Sequence, residues 1–295
     1  MIKEGIIIKG IGGFYYVEAD GEIYECKAKG IFRKEGIKPL AGDKVTISVN
    51  TNAENTIDVI HERTSDLQRP PVANIDRLFI VSSTVEPSPV LFIIDKLTAI
   101  AYDKGIEPII VFTKCDISPA DEYAEIYRKI GLKTFCVSNK TGEGIEEIKK
   151  ELKDHLSAFA GNSGVGKSSL LNSIDASLEL KTAAISNKLG RGKHTTRHSE
   201  LFKLCGGYVA DTPGFASIVS ENSEFILKEN LPFAFPEFEK YLGSCKFSTC
   251  LHIKDKGCKI IEAVERGEIP KSRHQSYCMM MEQVKDLEDW QLKNK

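Results

Sequence analysis

The run Gly161-Asn162-Ser163-Gly164-Val165-Gly166-Lys167-Ser168 places Gly161 and Gly166 around four residues and follows them with a cation and a hydroxyl. This pattern suits phosphate binding. Glycines let a backbone wrap closely around phosphate oxygens so that its N–H groups face them, and a helix N-terminus adds a favourable dipole. Lys167 would bring a point charge to the outer phosphates and Ser168 a hydroxyl to Mg²⁺. The apolar stretch Ala158-Phe159-Ala160 leads in as a strand, and Ser169-Leu170-Leu171-Asn172 leads out as a helix. That context favours a phosphate loop over a plain glycine-rich turn.

A second acidic motif, Asp211-Thr212-Pro213-Gly214, follows the apolar strand Tyr208-Val209-Ala210. Asp211 could hold the Mg²⁺ shell through water, and the Gly214 N–H could meet a γ-phosphate, which would make the next segment sensitive to that phosphate. The choice of base is read elsewhere. Thr113-Lys114-Cys115-Asp116 follows a buried strand and resembles the NKxD motif of GTPases, in which the Asp accepts two hydrogen bonds from guanine. Adenine cannot donate that pair, which argues against an ATP-driven enzyme. Lys114 would lie along the ring plane. Thr113 stands where the motif has Asn, and so lacks the amide that ties this loop to the phosphate loop; a cost in affinity is expected. Ser138-Asn139-Lys140 resembles the SAK motif, whose backbone N–H meets the guanine O6. In the usual order the phosphate loop comes first, whereas here both base motifs precede it, so the domain is expected to be circularly permuted. Permutation preserves the chemistry if all these loops meet at one sheet edge.

Between Lys188 and His198 the sequence is rich in glycine and charge, and from Lys181 to Lys203 six basic residues stand against one acid, a local excess of +5. The segment resembles the switch I of GTPases, and that resemblance implies Thr196, with Thr195 as its alternative, as the hydroxyl that completes Mg²⁺ coordination. Phe215 follows the DTPG motif where many GTPases carry a water-orienting Gln. His194 lies in the right segment to take that role, and its other reading is a solvated loop residue.

Cys245, Cys250, His252 and Cys258 offer three thiolates and an imidazole, the set of a closed tetrahedral structural zinc site. The remaining cysteines, Cys26, Cys115, Cys136, Cys205 and Cys278, read as buried small hydrophobes.

The elements that must position these groups are legible in outline. Five short apolar runs before residue 62, broken at Gly12-Gly13, Asp20-Gly21 and Pro39 to Asp43, suit a small barrel of the OB type, with an SH3-like barrel as the alternative. Thr64 to Ala73 reads as a linker. Continuous apolar runs at 75–82 and 107–113 then alternate with helical patterns at 90–104, 120–130 and 145–156, which is α/β architecture with ligands at the carboxyl ends of the strands. Past Gly214 the alternation stops, and Pro270 opens a helix carrying Tyr277, Met280, Met281, Val284 and Leu287 on one face.

The chain has 295 residues, 41% of them hydrophobic, and a formal net charge of -2, so global charge points to no polyanion. No stretch approaches the roughly 20 apolar residues of a membrane span. The opening MIKEGIIIKG has no signal-peptide character. A cytoplasmic protein with no membrane partner is expected.

The motif order, the N-terminal barrel and the later Cys/His cluster together resemble the ribosome-small-subunit-dependent GTPases, the RsgA (YjeQ or YloQ) family, over essentially the whole chain. The resemblance implies a multidomain protein: an OB-like β-barrel over 1–67, a circularly permuted α/β P-loop GTPase domain over 68–220, and a mostly α zinc-binding domain over 221–295. It also implies a monomer that acts late in 30S maturation through the 30S subunit and its 16S rRNA. Its GTP hydrolysis to GDP would be slow alone and stimulated by the 30S particle, with one structural Zn²⁺ and Mg²⁺ alongside GTP. A contrasting reading is an rRNA-binding assembly module that uses GTP as a lock, with hydrolysis incidental.

Overall fold

The computed structural model describes residues 1–68, 71–178, 199–211 and 225–287. Five strands open the chain: β1 (Ile2–Ile11), β2 (Phe14–Ala19), β3 (Glu22–Ala28), β4 (Lys44–Ser48) and β5 (Asn55–Ile60), with a short helix α1 (Gly30–Lys34) after β3. Their ladder closes as β1-β2-β3-β5-β4-β1, with β3 and β5 parallel and the other pairs antiparallel. This is the five-stranded OB arrangement, which decides between the two barrel readings. Ile7, Val17, Cys26, Val45, Ile47 and Ile57 fill the interior.

Where a linker is expected, β6 (Asp66–Gln68) and β7 (Pro71–Ala73) pair into a ribbon. Leu67, Val72 and Ala73 are buried, so this stretch is packed structure. Its proline and polar residues suggested a loop, but the alternate apolar residues found a core.

The nucleotide-domain sheet is built from β8 (Arg77–Ser83), β9 (Glu107–Thr113), β10 (Thr134–Cys136), β11 (Leu156–Ala160), β12 (Glu200–Leu204) and β13 (Gly207–Asp211). Helices α2 (Leu91–Asp103), α3 (Asp121–Lys129), α4 (Ile145–Leu152) and α5 (Lys167–Ile174) cover it. Strand order is β10-β9-β8-β11-β13-β12, and all neighbours but the β12–β13 hairpin are parallel. Burial on both faces explains the continuous apolar runs: Leu78, Ile80, Ile110 and Phe112 enter one core, while Phe79, Val81, Ile109 and Val111 enter the other. The helix expected to reach residue 156 ends at Leu152. A turn through Asp154 at φ 61° stops it, and Leu156 already belongs to β11. The apolar spacing had simply run on into the strand.

Lys9 of β1 pairs with Glu200 of β12, so barrel and nucleotide domain share one sheet. The C-terminal part carries 3-10 turns at Leu231–Ala234 and Pro236–Tyr241, then α6 (Lys259–Glu265) and α7 (Lys271–Val284). On α7, Tyr277, Met280, Met281 and Val284 are buried, as their helical spacing predicts, whereas Leu287, expected on the same face, lies beyond the end of the helix and is only partly buried. Among the described residues no helix is long and apolar enough to cross a membrane.

Candidate functional site

The phosphate loop leaves β11 at Ala160 and enters α5 at Lys167. Gly161 has φ 141°, and a Cβ there would stand 2.1 Å from the Val81 carbonyl oxygen. Only glycine lets the chain cross the end of β8 so closely. Gly166 caps α5 at φ 93°, while Ser163 and Gly164 are exposed at the mouth of the loop. Lys167 Nζ folds back and donates to the carbonyls of Gly161 and Asn162, each at 2.7 Å. Burial pushes this ammonium down to about 8, and an anion placed beside it would favour the charged form. Ser168 is buried on the first turn of α5, next to the half-buried Ser169.

The base-recognition segments arrive from the neighbouring strands. Thr113 ends β9, and Ser138 and Asn139 follow β10, whose Cys136 pairs in register with Phe112. Thr113 Oγ1 donates to the Val165 carbonyl at 2.6 Å, and Asn139 Nδ2 donates to the Gly166 carbonyl at 3.4 Å. The expected loss of the tie to the phosphate loop is therefore corrected. β9 ends near enough to Val165 for a short hydroxyl side chain to make the bond. Lys114 takes φ 61°, and its Nζ donates to the carbonyls of Val85 at 3.1 Å and Glu86 at 2.7 Å, which draws its stem toward the loop after β8. Asp116 is exposed in the turn beyond. Ser138 Oγ accepts from the N–H groups of Lys140 at 3.3 Å and Thr141 at 3.1 Å, which sets the turn that carries Lys140. The loop after β8 was not singled out in the sequence, since it contributes only carbonyls.

Two cysteines belong to this region, Cys115 within the first base segment and Cys136 at the end of β10 before the second. Cys115 and Cys136 are half-buried, as are Cys205 and Cys278, so only Cys26 of the five fits the buried-hydrophobe reading. The Cys115 thiol donates to the Phe112 carbonyl at 3.3 Å, and the neighbouring Cys115 together with Arg128, whose Nη2 lies 3.9 Å from the Cys136 sulfur, lowers the Cys136 thiol below its ordinary range.

β13 runs parallel to β11, so Asp211 leaves the sheet at the same carboxyl edge as Ala160. The Asp211 side chain, together with His194, Thr195, Thr196, Gly214 and Phe215, lies outside the described residues.

Cys245, Cys250, His252 and Cys258 bring their ligand atoms within 4.8 Å of one another. Cys245 Sγ is 3.8 Å from Cys258 Sγ, and His252 Nδ1 is 3.5 Å from each of them. Zn–S bonds of about 2.3 Å in a tetrahedron require S···S edges of about 3.8 Å, so the donor set and spacing fit such an ion. Outside the ligands, the Lys259 N–H points at Cys245 Sγ at 3.4 Å and His274 Nε2 lies 2.7 Å from the His252 carbonyl. Contacts of this kind hold metal ligands in place.

The RsgA GTPase family model matches residues 60–220, and the RsgA N-terminal domain model matches 4–57. The chain belongs to the RsgA GTPase family. It is 44% identical over 291 residues to the small ribosomal subunit biogenesis GTPase RsgA of Geobacillus sp. (strain WCH70), covering 97% of this chain and 98% of that protein. It is similar to the crystal structure of YloQ, a circularly permuted GTPase, with a TM-score of 0.80 and 37% identity over 97% of this chain and 96% of that one. YjeQ from Thermotoga maritima gives a TM-score of 0.84 and 34% identity over 98% and 100%. Membership makes this RsgA-family chain a GTP-hydrolysing enzyme, in which the β9 and β10 loops precede the phosphate loop in sequence yet touch it in space.

Proposed function

We propose that this GTPase assists late maturation of the small ribosomal subunit, as the names of its curated relatives suggest, with slow hydrolysis that the 30S particle accelerates. The observation that carries the assignment of the site is the convergence of Thr113 and Asn139 on Val165 and Gly166, which joins a base-binding half to a phosphate-binding half. In this reading Asp116 and the loop 138–140 select guanine, residues 161–169 cradle the phosphates, and Lys167 neutralises them. Ser168 and Thr196 would hold Mg²⁺, with Asp211 holding its shell through water, and the ion would supply charge neutralisation when bound. Gly214 senses the γ-phosphate, and His194 orients water once rRNA phosphates engage the basic 181–203 segment. Zinc is the metal best suited to the Cys/His cluster, because three thiolates and one imidazole leave no open position for catalysis. The division at 1–67, 68–220 and 221–295, a monomeric state, contact with 16S rRNA and a cytoplasmic location belong to the same proposal.

The test is GTP turnover with and without purified small subunits, with ATP as control. Stimulated turnover confined to GTP, and tighter subunit binding with a non-hydrolysable GTP analogue than with GDP, support the reading. Equal turnover with and without subunits overturns it. A His194→Ala variant that is stimulated as fully as wild type removes the histidine from the mechanism.

A further inference from the structure

We propose that Thr113 and Asn139 act together as positioning residues that set two peptide planes of the phosphate loop from the base side. The inference rests on the nucleotide-site reading above.

The Thr113 hydroxyl, 2.6 Å from the Val165 oxygen and 3.4 Å from the Ser82 oxygen, has one hydrogen to give, and the shorter contact takes it. Asn139 Nδ2 reaches the next carbonyl along, that of Gly166. A peptide unit is planar and trans, so its N–H points opposite to its C=O. Fixing the Val165 carbonyl fixes the direction of the Gly166 N–H, and fixing the Gly166 carbonyl fixes that of the Lys167 N–H. These are the two donors at the start of α5. Gly166 needs such support because its αL backbone has no side chain of its own to wedge it. A Cβ at Gly166 would stand 3.4 Å from both Thr113 Oγ1 and Asn139 Nδ2, so the two groups flank the residue they restrain. The same pair sits at the ends of the strands that carry the base-recognition turns. A base seated at Asp116 thereby stiffens the loops that aim the phosphate donors.

The experiment measures GMP and GDP dissociation constants by calorimetry for wild type, Thr113→Val, Thr113→Ser and Asn139→Ala. The second phosphate of GDP reports the cradle, and GMP reports the base half and the first phosphate. Thr113→Val should lower GDP affinity about three- to tenfold more than GMP affinity, the worth of one net hydrogen bond. Thr113→Ser should restore the preference, and Asn139→Ala should lose about two- to threefold through its longer bond. Asn139 is half-buried, so its variant gives a reading even if Thr113→Val fails to fold. Equal losses for GMP and GDP, or an unchanged preference in Asn139→Ala, overturn the proposal. A wild type that binds neither nucleotide overturns the site reading instead.

Discussion

Arg273 Nη1 lies 2.9 Å from Asp95 Oδ1, with both side chains withdrawn from solvent at 0% and 1% exposure. The pair joins α7 of the C-terminal part to α2 of the nucleotide domain. Arg273 also donates through Nε to Glu237 Oε1 at 2.7 Å and through Nη1 to Thr98 Oγ1 at 2.8 Å, and its guanidinium stacks 4.6 Å from the Phe235 ring centroid. Asp95 accepts further from Ser276 Oγ at 2.6 Å and Tyr127 OH at 3.0 Å. Chain order alone suggests a zinc-bearing segment that tilts with the nucleotide. This anchoring opposes such a tilt and makes the segment move with α2.

Arg273→Met should destabilise the protein by about 3–5 kcal/mol, because it strands two buried carboxylates. Urea unfolding followed by tyrosine fluorescence measures the loss. A change below about 1 kcal/mol would mean that packing alone holds the C-terminal part to α2.

Gly161→Ala should abolish GDP binding and cost more than about 2 kcal/mol of stability, since its Cβ must push the Val81 carbonyl aside at a positive φ. Thermal unfolding with and without GDP checks both effects. A variant that still gains stability from GDP would show that the loop can cross β8 by another route.

GDP affinity should fall as pH rises above about 8. Burial holds Lys167 low in the free protein, the bound phosphates favour its charged form, and binding between the two pKa values must therefore take up a proton. The slope should approach one decade per pH unit and vanish in Lys167→Met. Calorimetry in buffers of different ionisation enthalpy reads the proton directly, and proton release in that window would reverse the assignment.

Elemental analysis should find one zinc per chain. Its removal by chelator should cost at least about 4 kcal/mol, the linkage expected when free metal exceeds its dissociation constant a thousandfold. Cys250→Ala should reproduce that loss with GDP affinity within about twofold of wild type. A chelated protein that unfolds at the same urea concentration would make the cluster a set of free thiols.

What the sequence revealed was local. The barrel strands, the phosphate loop and the Cys/His cluster each announce themselves within a short stretch of chain, through alternation, glycine spacing or ligand spacing. The α4 boundary was missed because Leu156 fits both a helix face and a strand. The ribbon at 66–73 was missed because a proline stands beside its apolar residues. Arg273 and Asp95 are 178 residues apart, and each alone looks like a solvated charge on a helix. The tie from Thr113 was hidden for another reason: motif comparison shows that an amide is gone, while only geometry shows that a hydroxyl can reach the same loop. Thr196, His194 and Gly214 fall outside the described residues, so their roles stay with the proposal.

The register pair between Lys9 and Glu200 makes the barrel a handle on the enzyme. β12 begins just after the stretch Lys188 to His198 and returns through β13 to Asp211, so the strand paired with the barrel lies between the positions proposed for Mg²⁺ and water, Thr196 and His194, and the one proposed for the γ-phosphate, Gly214. The Lys9–Glu200 ion pair at 3.2 Å and the Lys203–Glu18 ion pair reinforce that grip from side chains. Torque applied to the barrel therefore passes through backbone and side chains into the β12–β13 hairpin, which ends at Asp211 on the edge of the nucleotide site.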